Sequence, residues 1–354
     1  MKRMRLPTRY QPTEKYSSGG FGDVLICKDT HLDRLVAIKF IKDLEEMPRM
    51  QDEINALMTL RSKHVVQLFD IIEKDGQLAI VEEYIPGPDL VTYTDSIENV
   101  LDFIKVVWQI SAGIAEIHAH EIVHRDIKPN NIKLDGEGIV KIYDFGLSRS
   151  NDNAKTVGFK GTLIFAAPEL FKGRGAVSFT SAVDTFAFGV TALCLAKIPP
   201  PQALNTATKI LTENPFLASP FKIPRSIQNI LFKCLSVEPD LRPEMSSVSL
   251  LLQRQLLKNS HRALLIHKNS QHILDKDNKG VTLRRVGVGS VSVSYNGFEF
   301  FIQELDGEVT VNNRTPRVDD ILPESCVIII GKISRPSRER SAITFDISHP
   351  EVVL

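Results

Sequence analysis

HRDIKPNN at 124–131 and DFG at 144–146 decide the reading of this chain. Together they set three polar side chains, Asp126, Asn131 and Asp144, at fixed intervals. That set suits phosphoryl transfer from a nucleoside triphosphate, where the protein supplies positioning and charge neutralisation rather than covalent chemistry. One carboxylate holds the attacking hydroxyl. A second carboxylate and an amide offer oxygen ligands to hard divalent cations.

Other landmarks keep a fixed order around this pair. VAIK stands at 36–39 and SSGGFGDV at 17–24; further on come AAPE at 166–169, DTFAFG at 184–189 and LRPEM at 241–245. On these motifs the chain resembles the eukaryotic-type serine/threonine protein kinases over residues 11–258. The resemblance implies an α+β, bilobal protein kinase fold, with a β-rich N-lobe at 11–85 and an α-rich C-lobe at 86–258. It implies ATP and Mg2+ (or Mn2+) as cofactors, and protein substrates with Ser/Thr acceptors.

The glycines of SSGGFGDV let a strand-turn-strand backbone close over the ATP phosphates. Val24-Leu25-Ile26 and Val36-Ala37-Ile38 follow as strand-like runs, whereas a dinucleotide fingerprint needs its glycines to open a helix. The resemblance assigns ATP contacts to Ser17, Ser18, Gly19, Gly20, Phe21, Gly22 and Val24, and to Ala37 on the next strand. Ser17 stands where the family usually has its first glycine. Lys39, at the end of the VAIK strand, is the phosphate-binding lysine. Its expected carboxylate partner is Glu53 in QDEINALMTL at 51–60, where Ile54, Leu57 and Met58 recur at helical spacing. Glu45 and Glu46 lie before Pro48, where a helix starts more readily than it continues. In AIVEEYIPGPDL at 79–90, Glu83 and Ile85 line the adenine edge, and Glu82 falls at the back of the pocket where the family commonly has an apolar side chain.

In the catalytic loop the resemblance makes Asp126 the base for the substrate hydroxyl, and Lys128 a cation for the transferring phosphoryl group. Asn131 and Asp144 hold the metal. Lys128, with Gly161-Thr162 before AAPE, matches the serine/threonine branch. Arg125 precedes the base, as in kinases ordered by a phosphate on the activation segment. Thr156 and Thr162 are the candidate phosphosites, and autophosphorylation is expected. Glu169 is expected to pair with Arg242. Asp184 is expected to anchor the catalytic loop from a helix whose continuation, Phe186 to Ala196, is apolar all round and too short for a bilayer.

The 43 basic and 43 acidic residues cancel, so no net field favours nucleic acid or a membrane surface. The four cysteines are scattered, without metal-ligand or disulfide spacing, which suits reduced thiols in the cytoplasm. Residues 1–10 form a basic tail with no apolar run behind it.

After Leu257 a polar stretch, 259–279, reads as a linker. From Gly280 the texture changes to short runs rich in Val, Ile and Phe, with Asn296-Gly297 as a hairpin signal. Residues 280–354 therefore read as a small β-sandwich. VNNRTPRVDDILPESCVIIIG at 311–331 resembles the closing half of a forkhead-associated (FHA) domain, a phosphothreonine reader. The Gly-Arg pair and Ser-x-x-His pattern of that family are missing as written, so the resemblance implies a docking or regulatory β module with a protein or phosphoprotein partner. Three classes fit the whole chain: an active kinase, a pseudokinase scaffold, and a phosphopeptide-binding adaptor.

Overall fold

Val36 and Ile38 of the VAIK strand turn inward and are fully buried, and around them the N-terminal sheet is built. The computed structural model describes residues 6–19, 22–40, 54–74, 77–145, 149–150, 155–156, 163–171, 177–178, 180–348 and 350–352. The chain divides into two units, Met1–Leu252 and Gln253–Val353.

In the first unit, β1 (Tyr10–Gly19), β2 (Gly22–Asp29), β3 (Arg34–Phe40), β4 (Leu68–Lys74) and β5 (Gln77–Glu83) form one antiparallel sheet in the order β1-β2-β3-β5-β4. A helix, α1, covers 54–59. Its apolar face differs from the expected one: Ile54, Ala56, Leu57 and Leu60 are buried, while Met58 is 65% exposed. A side chain four residues beyond Ile54 has turned past the narrow contact.

The helical part follows. α2 (Leu90–Tyr93) leads to α3 (Val100–Ala119), capped by Asn99, whose side chain accepts from the N–H of Leu101 and Asp102. Phe103, Val107, Ile110, Ile114 and Ile117 give α3 its buried stripe at three- and four-residue spacing. Short pairs complete the catalytic region: β6 (Ile122–Val123) with β9 (Arg149–Ser150), β7 (Ile132–Leu134) with β8 (Val140–Ile142), and β10 (Lys155–Thr156) with β11 (Val177–Ser178). α4 (Ala182–Leu195) is buried along nearly its whole length, as its all-round apolar sequence requires. α5 (Arg225–Cys234) and α6 (Met245–Leu256) follow. A strand-rich N-terminal part followed by a helical C-lobe fits the bilobal fold. Among the described residues no helix is long and apolar enough to cross a membrane.

The second unit holds β12 (Ala263–His267), β13 (Ser270–Leu274), β14 (Gly280–Arg285), β15 (Gly289–Tyr295), β16 (Phe300–Gly307), β17 (Val309–Val311), β18 (Ser325–Ile330) and β19 (Ser341–Ile347). They form a five-stranded sheet, β13-β12-β19-β18-β17, and a three-stranded sheet, β14-β15-β16. Leu265, Val291, Val293, Ile302, Ile328, Ile343 and Phe345 from both sheets share one core. The hairpin signal holds: Gly297 takes φ 97°, and Asn296 accepts from the N–H of Phe298 and Glu299 in the loop between β15 and β16.

The linker expected at 259–279 is corrected here. β12 lies inside the sheet between β13 and β19, with Ala263 and Leu265 buried. β13 is an edge strand that buries Leu274 and leaves Ser270 and Gln271 exposed and His272 half-buried. A polar edge strand has the composition of a linker.

Candidate active site

Asp184, completely buried near the start of α4, organises the catalytic loop. Its Oδ2 accepts from the His124 N–H at 2.7 Å and meets His118 Nε2 at 3.0 Å; its Oδ1 accepts from the Arg125 N–H at 2.7 Å. Burial pushes its carboxyl pKa up, but the His118 bond, nearby imidazoles and the Arg125 N–H outweigh that and hold it below the ordinary range. The anchor meets a strained backbone: Arg125 has φ 71° and Asp144 φ 67°, in the left-handed region that non-glycine residues seldom enter.

The loop so held brings three expected residues together. Asp126 is buried, and its carboxylate accepts from Lys128 Nζ at 2.8 and 3.0 Å and from Asn131 Nδ2 at 2.8 Å. Asn131 Nδ2 also donates to the Asp126 carbonyl at 2.9 Å. The amide nitrogen is thus committed to Asp126, leaving the side-chain Oδ1 of Asn131 for another ligand.

Asp144 joins from the other side. Lys39 Nζ reaches its Oδ1 at 3.2 Å across 105 residues of sequence, which leaves Oδ2 for a second contact. Lys39 is 9% exposed, so this pair is shielded from screening. The DFG segment is keyed to the loop by three contacts: the His124 and Phe145 rings 4.5 Å apart, His124 Nε2 on the Tyr143 carbonyl at 3.2 Å, and the Tyr143 N–H donating to Asn131 O at 3.1 Å. The two oxygens still open, on Asn131 and Asp144, are of the kind that magnesium prefers.

The glycine loop is a hairpin. Ser17 pairs with Val24, Ser18 with Asp23 and Gly19 with Gly22, and Val24 in turn lies opposite Lys39. Gly20 and Phe21, at its tip, lie outside the described residues, as does Glu53. Ala37 lies opposite Glu82 on β5. Glu83 carries a pairing that sequence reasoning missed: its carboxylate accepts from buried Lys141 at 2.8 Å. Ile85 is buried just beyond it. The chain then presses on the catalytic strand β7: a Cβ on Gly87 would sit 1.9 Å from the Leu134 carbonyl oxygen, so only glycine fits.

Glu169 and Arg242 meet as expected, in a bidentate pair at 2.7 Å on both arms. Arg242 also donates to the Ala182 carbonyl at 2.8 Å, so the pair closes on the N-terminus of α4. Thr156 lies on β10 opposite Val177; Thr162 lies outside the described residues. His118 was missed as well. Nothing in its sequence surroundings separates it from a helix-surface histidine.

A sequence model of the protein kinase domain matches residues 10–254. Relatives include the serine/threonine-protein kinase PrkC of Bacillus subtilis, 31% identical over 68% of this chain and 39% of its own. The probable serine/threonine-protein kinase kinX of Dictyostelium discoideum is 31% identical over 67% of this chain and 23% of its own. Mitogen-activated protein kinase kinase kinase 3 of Arabidopsis thaliana is 29% identical over 69% and 42%. The chain thus spans less than half the length of these relatives.

Proposed function

The chain belongs to the protein kinase family, and on that footing we propose that it is an ATP-dependent serine/threonine protein kinase. The observation that carries this reading is the Asp126–Lys128–Asn131 network together with the Lys39–Asp144 pair, linked to it through the Tyr143 N–H on the Asn131 backbone carbonyl. Asp126 takes the proton of the acceptor hydroxyl as its oxygen bonds to the γ-phosphorus and the bond to the leaving oxygen breaks. Lys128 offsets charge on the transferring group, and Lys39 holds the α- and β-phosphates. Asn131 and Asp144 hold magnesium, which neutralises the triphosphate when bound. Ser17 to Gly22, with Val24 and Ala37, cover the nucleotide, Glu83 and Ile85 edge the adenine, and Glu53 is the second partner for Lys39. Thr156 and Thr162 are proposed sites of autophosphorylation. A pseudokinase scaffold fits less well, because such a protein has no need to keep four costly polar groups in or near a buried network.

The four cysteines are free, and three of them are buried, which supports a reducing, cytoplasmic setting. The second unit is read as an FHA-like docking or regulatory module. Arg284 on β14, and Lys332 and Arg338 between β18 and β19, stand exposed, which favours an acidic or phosphorylated protein partner.

Incubation with γ-labelled ATP, magnesium and myelin basic protein tests the main reading. Label on serine and threonine, lost when magnesium is chelated, is expected. Absence of label on both the acceptor and the protein itself would overturn it.

A further inference from the structure

Lys209 carries two costs at once. It is 0% exposed, and its backbone takes φ 49° in the left-handed region. It lies between the 3-10 turns Gln202–Asn205 and Pro215–Ala218, in a stretch without regular structure. Its N–H donates to Thr206 Oγ1 at 3.2 Å. Its ammonium meets no carboxylate among the described residues. Nζ donates to the Leu163 carbonyl at 2.8 Å and to the Leu204 carbonyl, and it stands 5.7 Å from the centre of the Phe171 ring. A buried cation held by two carbonyls and a ring face is poor value as a stability device, since an apolar side chain of that volume would cost less to bury.

What it holds gives the reason. Leu163 opens the 3-10 turn Leu163–Phe165, which packs against α4, the helix whose Asp184 holds the catalytic loop. Beyond that turn Ala166 and Ala167 are buried and Glu169 is locked by Arg242, which is itself bonded to the start of α4. The turn and the catalytic base are thus referred to one frame, and the Leu163 side chain is left 44% exposed beside it.

We infer that Lys209 is a positioning residue for the phosphoacceptor: by pinning the Leu163 carbonyl it fixes the edge along which the serine- or threonine-bearing segment lies next to Asp126. This rests on the kinase reading. The group is also poised to titrate, because burial pulls its pKa down to about 8. Above that pH the neutral amine has one N–H fewer and no charge over the ring. No titratable side chain among the described residues faces it, only the carbonyls of Leu163 and Leu204 and the Phe171 ring.

Steady-state kinetics on the full chain, with ATP and myelin basic protein varied in turn, test the inference. Lys209→Met should raise KM for the acceptor about tenfold, with KM for ATP within about twofold of wild type. Lys209→Arg keeps N–H donors and a charge that does not titrate in this range, and should recover most of that loss. In wild type the acceptor KM should rise as pH passes about 8, and in Lys209→Arg it should not. If Lys209→Met fails to fold, the pH profile of Lys209→Arg decides. An unchanged acceptor KM in Lys209→Met, an equal loss for both substrates, or a wild-type pH profile in Lys209→Arg overturns the inference alone. A wild-type protein that transfers no phosphate overturns the kinase reading with it.

Discussion

The two units bury different things. In the first, Lys39, Asp126, Asn131, Lys141, Asp184, Lys209 and Arg242 all lie inside, each met by a partner. In the second, the buried polar residues among those described are Ser292 and Ser341, and the rest of the core is aliphatic and aromatic apart from the thiol of Cys326. Sequestering charge is costly, and a domain that needed only to fold would use the second solution. The contrast separates a region shaped by chemistry from one shaped by packing.

The contrast breaks first at Arg242. Replacing it by leucine leaves the Glu169 carboxylate and the Ala182 carbonyl without their donor. A loss of about 4 kcal/mol, of the size seen when one member of a buried pair is removed, is expected in denaturant melts. In the second unit the matching test is Ile328→Ala. Ile328 is fully buried in the shared core, and its truncation should cost about 3 kcal/mol through transfer and cavity terms. A polar-network signature there, with loss of activity instead of stability, would contradict the contrast.

Acid sharpens it further. Asp184 has a folded-state pKa below its ordinary value of 3.8, so its contribution is present above that pH and lost as pH falls through the folded value. Stability of the first unit should therefore fall below about pH 4, less steeply in Asp184→Asn. Glu308 in the second unit is also held low, at about 2, first by its bond from Arg335. It is solvent-screened, so Glu308→Gln should leave the acid melt of that unit almost unchanged. Smallest of all, Asn99→Ala removes the cap of α3 and should cost about 1 kcal/mol, read from the thermal midpoint.

The sequence made the site more visible than the pairings that support it. Asp126, Asn131, Asp144 and Lys39 stand out in the sequence because their motifs keep a fixed order along the chain. Glu169 and Arg242 came through for the same reason, as did α4, whose apolar run has no exposed solution. His118 with Asp184, Lys141 with Glu83 and Lys209 with Leu163 did not, because each pairing is created by tertiary placement between segments that carry no local signal. Fold errors arose where composition stands in for position. Met58 continues a helical spacing but points outward, and the hairpin of β12 and β13 has the composition of a linker because most of the side chains of β13 stay out of the core.

The central claim is that the buried network around Asp126 exists to move a phosphoryl group. Single-turnover transfer of γ-phosphate from magnesium–ATP to myelin basic protein, compared between wild type and Asp126→Asn, tests it most directly. The account predicts a rate loss of about 10²-fold or more with ATP affinity retained, since removing the base acts on the transition state and not on nucleotide binding. Transfer by Asp126→Asn within about tenfold of wild type would contradict it.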